Sequence, residues 1–243
     1  MTVEDDDLDP SIDKKWMLTP EQQQKLNDDG ADSKFEVFFD APYAEIKAAM
    51  SRHIKSGFNI LDIGANQGNL EDYLENSGGQ YQIQCVDIDA QALDKLDQKQ
   101  YQNIETSIVQ SDANSFIENY EGIADQNAIL LNATLHEINS PADQRQYLEQ
   151  LFAKARAILK ADGIIIIGDY YYPDDVTDVE VARFTEYQKK AINHADARNK
   201  FVKPELIEEV AADSGFNVEE AKEIRAVQEI DRRYYVIVLK RKE

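Results

Sequence analysis

From Phe58 onward, apolar runs alternate with amphipathic stretches. Runs at Phe58–Ile63, Tyr81–Val86, Ile104–Val109, Ala128–Leu131 and Ile164–Ile167 predict five strands, with helical segments between most of them. Ala128-Ile129-Leu130-Leu131 and Ile164-Ile165-Ile166-Ile167 carry no polar alternation, as expected of parallel strands covered on both faces. From Pro141 to Lys160 the apolar positions Leu148, Leu151, Phe152, Ala155 and Leu159 share one helical face. Ser140 reads as the N-cap of that helix and Pro141 as its first residue. Two strand patterns follow at Asn217–Ala226 and Tyr234–Leu239. The few residues between them leave no room for a crossover helix, so they pair as an antiparallel hairpin. The pattern is α/β, a doubly wound sheet. Such sheets bind ligands at the carboxyl ends of their strands, near the switch in strand order.

The chain before Phe58 and after Ile167 adds to this frame. Residues 1 to about 15 read as an acidic tail without order. Thr19-Pro20-Glu21-Gln22 reads as a capped helix start. Phe35, Val37, Phe38 and Phe39 form an apolar cluster, and Pro42 opens a helix with Tyr43, Ile46, Met50 and Ile54 on one face. Past the fifth strand, Asp169-Tyr170-Tyr171-Tyr172 leads into a helix of about 20 residues with Phe184, Tyr187, Ala191 and His194 on one face. A short helix, Pro204 to Ala212, ends at Ser214-Gly215.

The stretch Ile60-Leu61-Asp62-Ile63-Gly64-Ala65-Asn66-Gln67-Gly68 runs from a strand through a glycine loop into a helix. That geometry presents free backbone N–H groups and the positive end of a helix to a crevice. Asn66 stands where a central glycine would complete a G-x-G-x-G loop, and asparagine tolerates left-handed dihedrals better than most residues. Asp87 ends the second strand, about 20 residues past the loop, where a carboxylate can accept both hydroxyls of a ribose. Asp89 reads as the N-cap of the next helix. Asp112 ends the third strand, where a carboxylate can accept from an adenine amine. Each acid taken singly is equally a strand-end cap. Together with the loop they outline an adenosine.

Composition narrows the classes. The formal net charge is −21 and no basic tract offsets it, so nucleic acid is not the expected partner. No apolar run approaches the ~20 residues of a membrane span, so no membrane partner is expected. The single cysteine and the acidic N-terminus, which lacks a signal-peptide core, fit a cytoplasmic location. The histidines and Asp174-Asp175 show no metal-ligand spacing, so no metal is expected. Oligomeric state is not legible.

The ordered set of motifs resembles the class I S-adenosylmethionine-dependent methyltransferases over about residues 40 to 243. Leu61–Gly68 is similar to the family's first motif, and Asp87 and Asp112 follow in order. Leu131-Asn132-Ala133-Thr134-Leu135-His136-Glu137-Ile138 looks like the fourth-strand motif. Ile158-Leu159-Lys160-Ala161-Asp162-Gly163 looks like the turn before the fifth strand, and the closing hairpin is similar to strands six and seven. Asn132 stands where many members carry an acid, which speaks against a metal-dependent mechanism of the catechol type. The resemblance implies seven strands in the order 3-2-1-4-5-7-6 with strand 7 antiparallel. It implies S-adenosyl-L-methionine as cofactor, held by Asp62, Gly64, Ala65, Asn66, Gly68, Asp87, Ile88, Asp112, Ala113 and Asn132. The reaction implied is in-line transfer of a methyl group, here to a small-molecule acceptor. Competing readings are an NAD(P)-dependent oxidoreductase, which shares the loop and Asp87, and a cofactor-binding partner protein without catalysis.

His136, after the fourth strand, and His194, on the late helix, are the candidates for a catalytic base. Trp16, Tyr43, Tyr171 and Tyr187 are the candidates for the acceptor pocket. Residues 1–39 then form a tail and cap segment, residues 40–243 the methyltransferase domain, and residues 172–202 a helical lid.

Overall fold

The computed structural model describes residues 31–122, 124–192, 196–227 and 231–242. Trp16 and His194 lie outside these residues, as do the acidic tail and the helix start at Thr19. In chain order the elements are α1 (Ala31–His53), β1 (Asn59–Ile63), α2 (Asn69–Ser77), β2 (Tyr81–Asp87), α3 (Ala90–Asp97), β3 (Ile104–Gln110), α4 (Ala113–Glu118), β4 (Gln126–Asn132), α5 (Leu135–Ile138), α6 (Gln144–Ile158), β5 (Leu159–Tyr171), α7 (Asp178–Ile192), a 3-10 turn (Arg198–Lys200), α8 (Pro204–Asp213), β6 (Phe216–Val227) and β7 (Arg232–Arg241).

The strands form one seven-stranded sheet in the order β3-β2-β1-β4-β5-β7-β6. β1 to β5 pair in parallel, and β7 runs antiparallel to both β5 and β6. The order reverses between β1 and β4, so a crevice opens at their carboxyl ends. β4 and β5 are buried almost throughout, because helices cover both faces. α1 packs on β5, β6 and β7. α4, α6 and α8 pack together on the opposite face. Leu148, Leu151, Phe152, Ala155 and Ile158 carry the apolar face of α6 inward.

Three local expectations change. α1 starts at Ala31, and Pro42 sits inside it. Proline fixes a helical φ and costs one backbone bond, which a long packed helix can bear. α6 starts at Gln144, not at Pro141, because Asp143 Oδ1 accepts from the Gln146 amide at 3.0 Å and is the true cap. The turn expected before the fifth strand is absorbed into β5 itself. Gln126 pairs with Leu159 and Ala128 with Ile164, so the extra residues bulge from the ladder between them.

Candidate functional site

The loop after β1 is held open by three left-handed residues. Gly64 has φ 83°, Asn66 φ 50° and Gly68 φ 84°. Gly68 is also the N-cap of α2. A Cβ on Gly64 would lie 2.0 Å from Thr134 Oγ1, so any side chain there would push the β4 loop away. The Asn66 amide donates to Asp87 Oδ2 at 2.8 Å, and the Asp89 amide donates to Asp87 Oδ1 at 2.9 Å. Each carboxylate oxygen keeps a further lone pair, so Asp87 stays able to accept ribose hydroxyls. Asp89 caps α3, accepting from the Gln91 and Ala92 amides.

A cleft of about 390 Å³ opens where these elements meet. Gly64, Asn66, Asp87, Ile88, Asp112, Ala113 and Asn132 line it, as does Tyr43. Ile88 is 67% exposed, an apolar side chain at the rim that offers a face to a base. Asp112 Oδ1 accepts from the Ser115 amide at 2.9 Å and so caps α4, while its carboxylate borders the cleft. Tyr43 hydrogen-bonds the side chains of Asn69 and Asn132, and burial pushes its hydroxyl up to about 12. Tyr234 donates to Asn132 Oδ1 at 2.6 Å. Val86, Ser111, Ala133, Thr134, Glu137 and Ile138 also line the cleft, and sequence reading had not singled them out as site residues. Ala133 has φ 51°, a strained value for a residue with a side chain. A larger groove of about 720 Å³ runs beside α4 over the first halves of β1, β2 and β3. It lies away from the glycine loop.

Ala65 and Gly68 shape the loop without lining the cleft. Asp62 lies beneath it, 1% exposed, beside Glu71 of α2, also 1% exposed. Burial, then the Glu71 charge, pushes the Asp62 carboxyl well above the usual carboxylate range. Burial likewise raises Glu71. Among the described residues Asp62 Oδ1 and Glu71 Oε2 have no other hydrogen-bond partner, and a single proton shared within the pair would satisfy both. Cys85 Sγ donates to Glu71 Oε1 at 3.2 Å.

At the far rim stands His136, 6% exposed, on α5. Its Nδ1 lies 2.6 Å from Asp169 Oδ1 at the end of β5, and its amide donates to Asp169 Oδ2 at 2.8 Å. Nε2 faces Glu137 and Asp196, each at 3.6 Å. Burial opposes a charge on the imidazole. Asp169, followed by Asp196 and Glu137, outweighs it and holds the pKa of His136 well above the ordinary value.

Strand alternation separates the two tyrosines at the end of β5. Tyr171 hydrogen-bonds Glu223 and packs on Tyr235, so it does not reach the cleft lining. Tyr170 stacks on Tyr234, the residue that reaches Asn132. Tyr187 lies on α7, with its side chain outside the described residues. Phe184 of α7, Tyr170, Tyr172 and Phe201 surround the buried guanidinium of Arg232 at 4.3–5.8 Å, which ties the late helix to the sheet.

The sequence matches the model of the methyltransferase small domain over residues 46–170. No curated protein matches the chain by sequence. Among solved structures, the fold resembles a 1,6-didemethyltoxoflavin-N1-methyltransferase from Burkholderia thailandensis, solved with 1,6-didemethyltoxoflavin and S-adenosylhomocysteine bound. That likeness has a TM-score of 0.60 at 16% identity and covers 99% of this chain and 94% of the other. The cyclopropane synthase MmaA2 from Mycobacterium tuberculosis aligns with a TM-score of 0.62 at 14% identity, over 82% of this chain and 84% of that one. A SAM-dependent methyltransferase from Aquifex aeolicus aligns at 0.56 with 17% identity, over 92% and 99%. At these identities the likeness is one of fold.

Proposed function

This chain belongs to the methyltransferase small domain family, and from that premise we propose that it moves a methyl group to a small-molecule acceptor by in-line displacement. It is a methyltransferase, and S-adenosylmethionine is its methyl donor. The donor supplies a methyl group already activated on a sulfonium. The chain supplies binding, orientation and exclusion of water.

The observation that carries the site assignment is the cleft where Gly64, Asn66, Asp87, Asp112 and Asn132 converge. The residues fit the donor. Gly64 lets Thr134 of the β4 loop close against the backbone at the cleft, and Asp87 keeps lone pairs for a ribose. Ile88 and Asp112 border the place for the adenine. Asn132 and Tyr43 border the place for the amino acid end.

Orientation of two bound reactants can supply roughly 7–11 kcal/mol, while a general base adds only ~10²–10⁴-fold. We assign the larger share to positioning. The acceptor side lies between Tyr43, Asn132 and the rim at His136, with residues 172–202 as its lid. Net charge −21 supports a small molecule over nucleic acid. The Burkholderia neighbour, similar along nearly its whole length, holds a small molecule as well.

Calorimetry with S-adenosylhomocysteine tests the site. Asp87→Ala should weaken binding by about 1.5–3 kcal/mol, the scale of a hydrogen bond to a charged group. Unchanged affinity would remove Asp87 from the ribose contact. Screening metabolite fractions for conversion of the donor to S-adenosylhomocysteine tests the acceptor class. Salt-sensitive binding of RNA or DNA at micromolar concentration would count against it.

A further inference from the structure

Three side chains at the rim face one another across a gap. His136 Nε2 lies 3.6 Å from Glu137 Oε1 and 3.6 Å from Asp196 Oδ2. All three groups can place one ligand atom within 4.8 Å of the others. At 3.6 Å these contacts are too long to be hydrogen bonds. Donor atoms held about 2.0–2.2 Å from one tetrahedral ion stand roughly 3.4 Å apart, which matches this spacing.

Each of the three is fixed by its other polar atom. Asp169 holds His136 Nδ1 at 2.6 Å. Lys200 Nζ donates to Glu137 Oε2 at 2.8 Å and to Asp196 Oδ1 at 3.1 Å. Lys200 therefore grips the outer oxygens and leaves the inner pair facing Nε2. Metal-bound histidines and carboxylates are oriented by such outer partners.

We propose that His136 Nε2, Glu137 and Asp196 form a binding site for a divalent first-row cation such as Zn²⁺, Mn²⁺ or Co²⁺. Imidazole with two carboxylates suits these ions. His136 and Asp196 are each 6% exposed, while Glu137 also lines the cofactor cleft, so the open coordination position faces the acceptor side. That position takes an oxygen of the acceptor. This last step rests on the methyl-transfer reading and narrows the acceptor to molecules with a metal-ligating hydroxyl, enol or carboxylate.

Co²⁺ titration of the chelator-treated full chain, followed by visible absorption, tests the site. The expected result is a saturable ligand-field band at one ion per chain, displaced by Zn²⁺. Asp196→Asn and Glu137→Gln should each weaken Co²⁺ binding at least tenfold, while calorimetry on Asp196→Asn still shows S-adenosylhomocysteine binding. No saturable band in the wild type overturns the proposal. So does equal Co²⁺ affinity in Glu137→Gln, whose partly exposed position makes misfolding a poor excuse. In that case the cluster is a metal-free ion network with His136 protonated. A Co²⁺ band without methyl transfer to any acceptor would support the site and overturn the proposed function. Methyl transfer without Co²⁺ binding would do the reverse.

Discussion

Two groups of buried acids flank the cleft, and they solve the same problem in opposite ways. Beneath the glycine loop, Asp62 and Glu71 lie against each other, and the Cys85 thiol donates to Glu71. One shared proton halves their charge. At the rim, Asp169 and Asp196 are buried too, yet His136 and Lys200 stand against them. Desolvation is the largest influence on the first pair, while at the rim the neighbouring acids outweigh it and hold the His136 pKa up. The donor side thus rests on a proton-sharing acid pair, and the acceptor side on ion pairs through Lys200.

The largest expected effect strikes the ionic group. Asp169→Ala should cost about 3–5 kcal/mol, because it strands a buried partner. Urea unfolding at pH 7 reads this, and Asp169→Asn, which keeps an acceptor for the imidazole, should recover part of the loss. Equal, small losses in both variants would mean that the rim is no ionic group at all.

A middle-sized effect separates the two groups by pH. In the Asp62–Glu71 pair, both folded-state carboxyl pKa values are raised. The pair's contribution is complete below the unfolded carboxylate range near 4 and is lost as pH rises through the folded values. One extra proton in the native state gives a slope of about −1.4 kcal/mol per pH unit across that window. Asp62→Asn should flatten this slope and gain on the wild type as pH rises. Stability curves of the two proteins between pH 5 and 9 that run parallel would show that Asp62 and Glu71 share no proton.

The smallest effect is kinetic. Burial, followed by the charges of Glu71 and Asp62, pushes the Cys85 thiol far up, so no thiolate forms in the folded chain. Alkylation by iodoacetamide should therefore follow unfolding, not reagent concentration. Rapid first-order labelling of the native protein would show that the Asp62–Glu71 pair is open to solvent.

The strand order followed from the family resemblance. The glycine loop and the Asp89 cap were legible in the residues themselves, because they depend on local pattern and on residues with narrow backbone preferences. Asn66 takes the left-handed φ that its amide side chain tolerates. The parts that stayed hidden depend on distance and parity. Asp196 meets His136 across 60 positions, so no spacing rule announces the rim cluster. Asp169 reads as the first residue of a tyrosine run, and only the parallel pairing of β4 with β5 brings it beside the loop after Asn132. Tyr170 and Tyr171 are indistinguishable by type. Which one turns toward Asn132 is decided by strand register. Asp143 outcompeted Ser140 as a cap through one hydrogen bond that composition does not reveal.

β7 lies between β5 and β6, paired on both edges. It is the seventh strand to leave the ribosome but the sixth across the sheet. While the chain is being made, β1 to β5 can assemble as soon as they emerge. The outer edge of β5 then stays open until residue 241 has been added. That edge, with Ile164 to Ile167 along it, is a template for any passing strand. Nascent chains stalled before β7 should be the form that chaperones bind and that aggregates first.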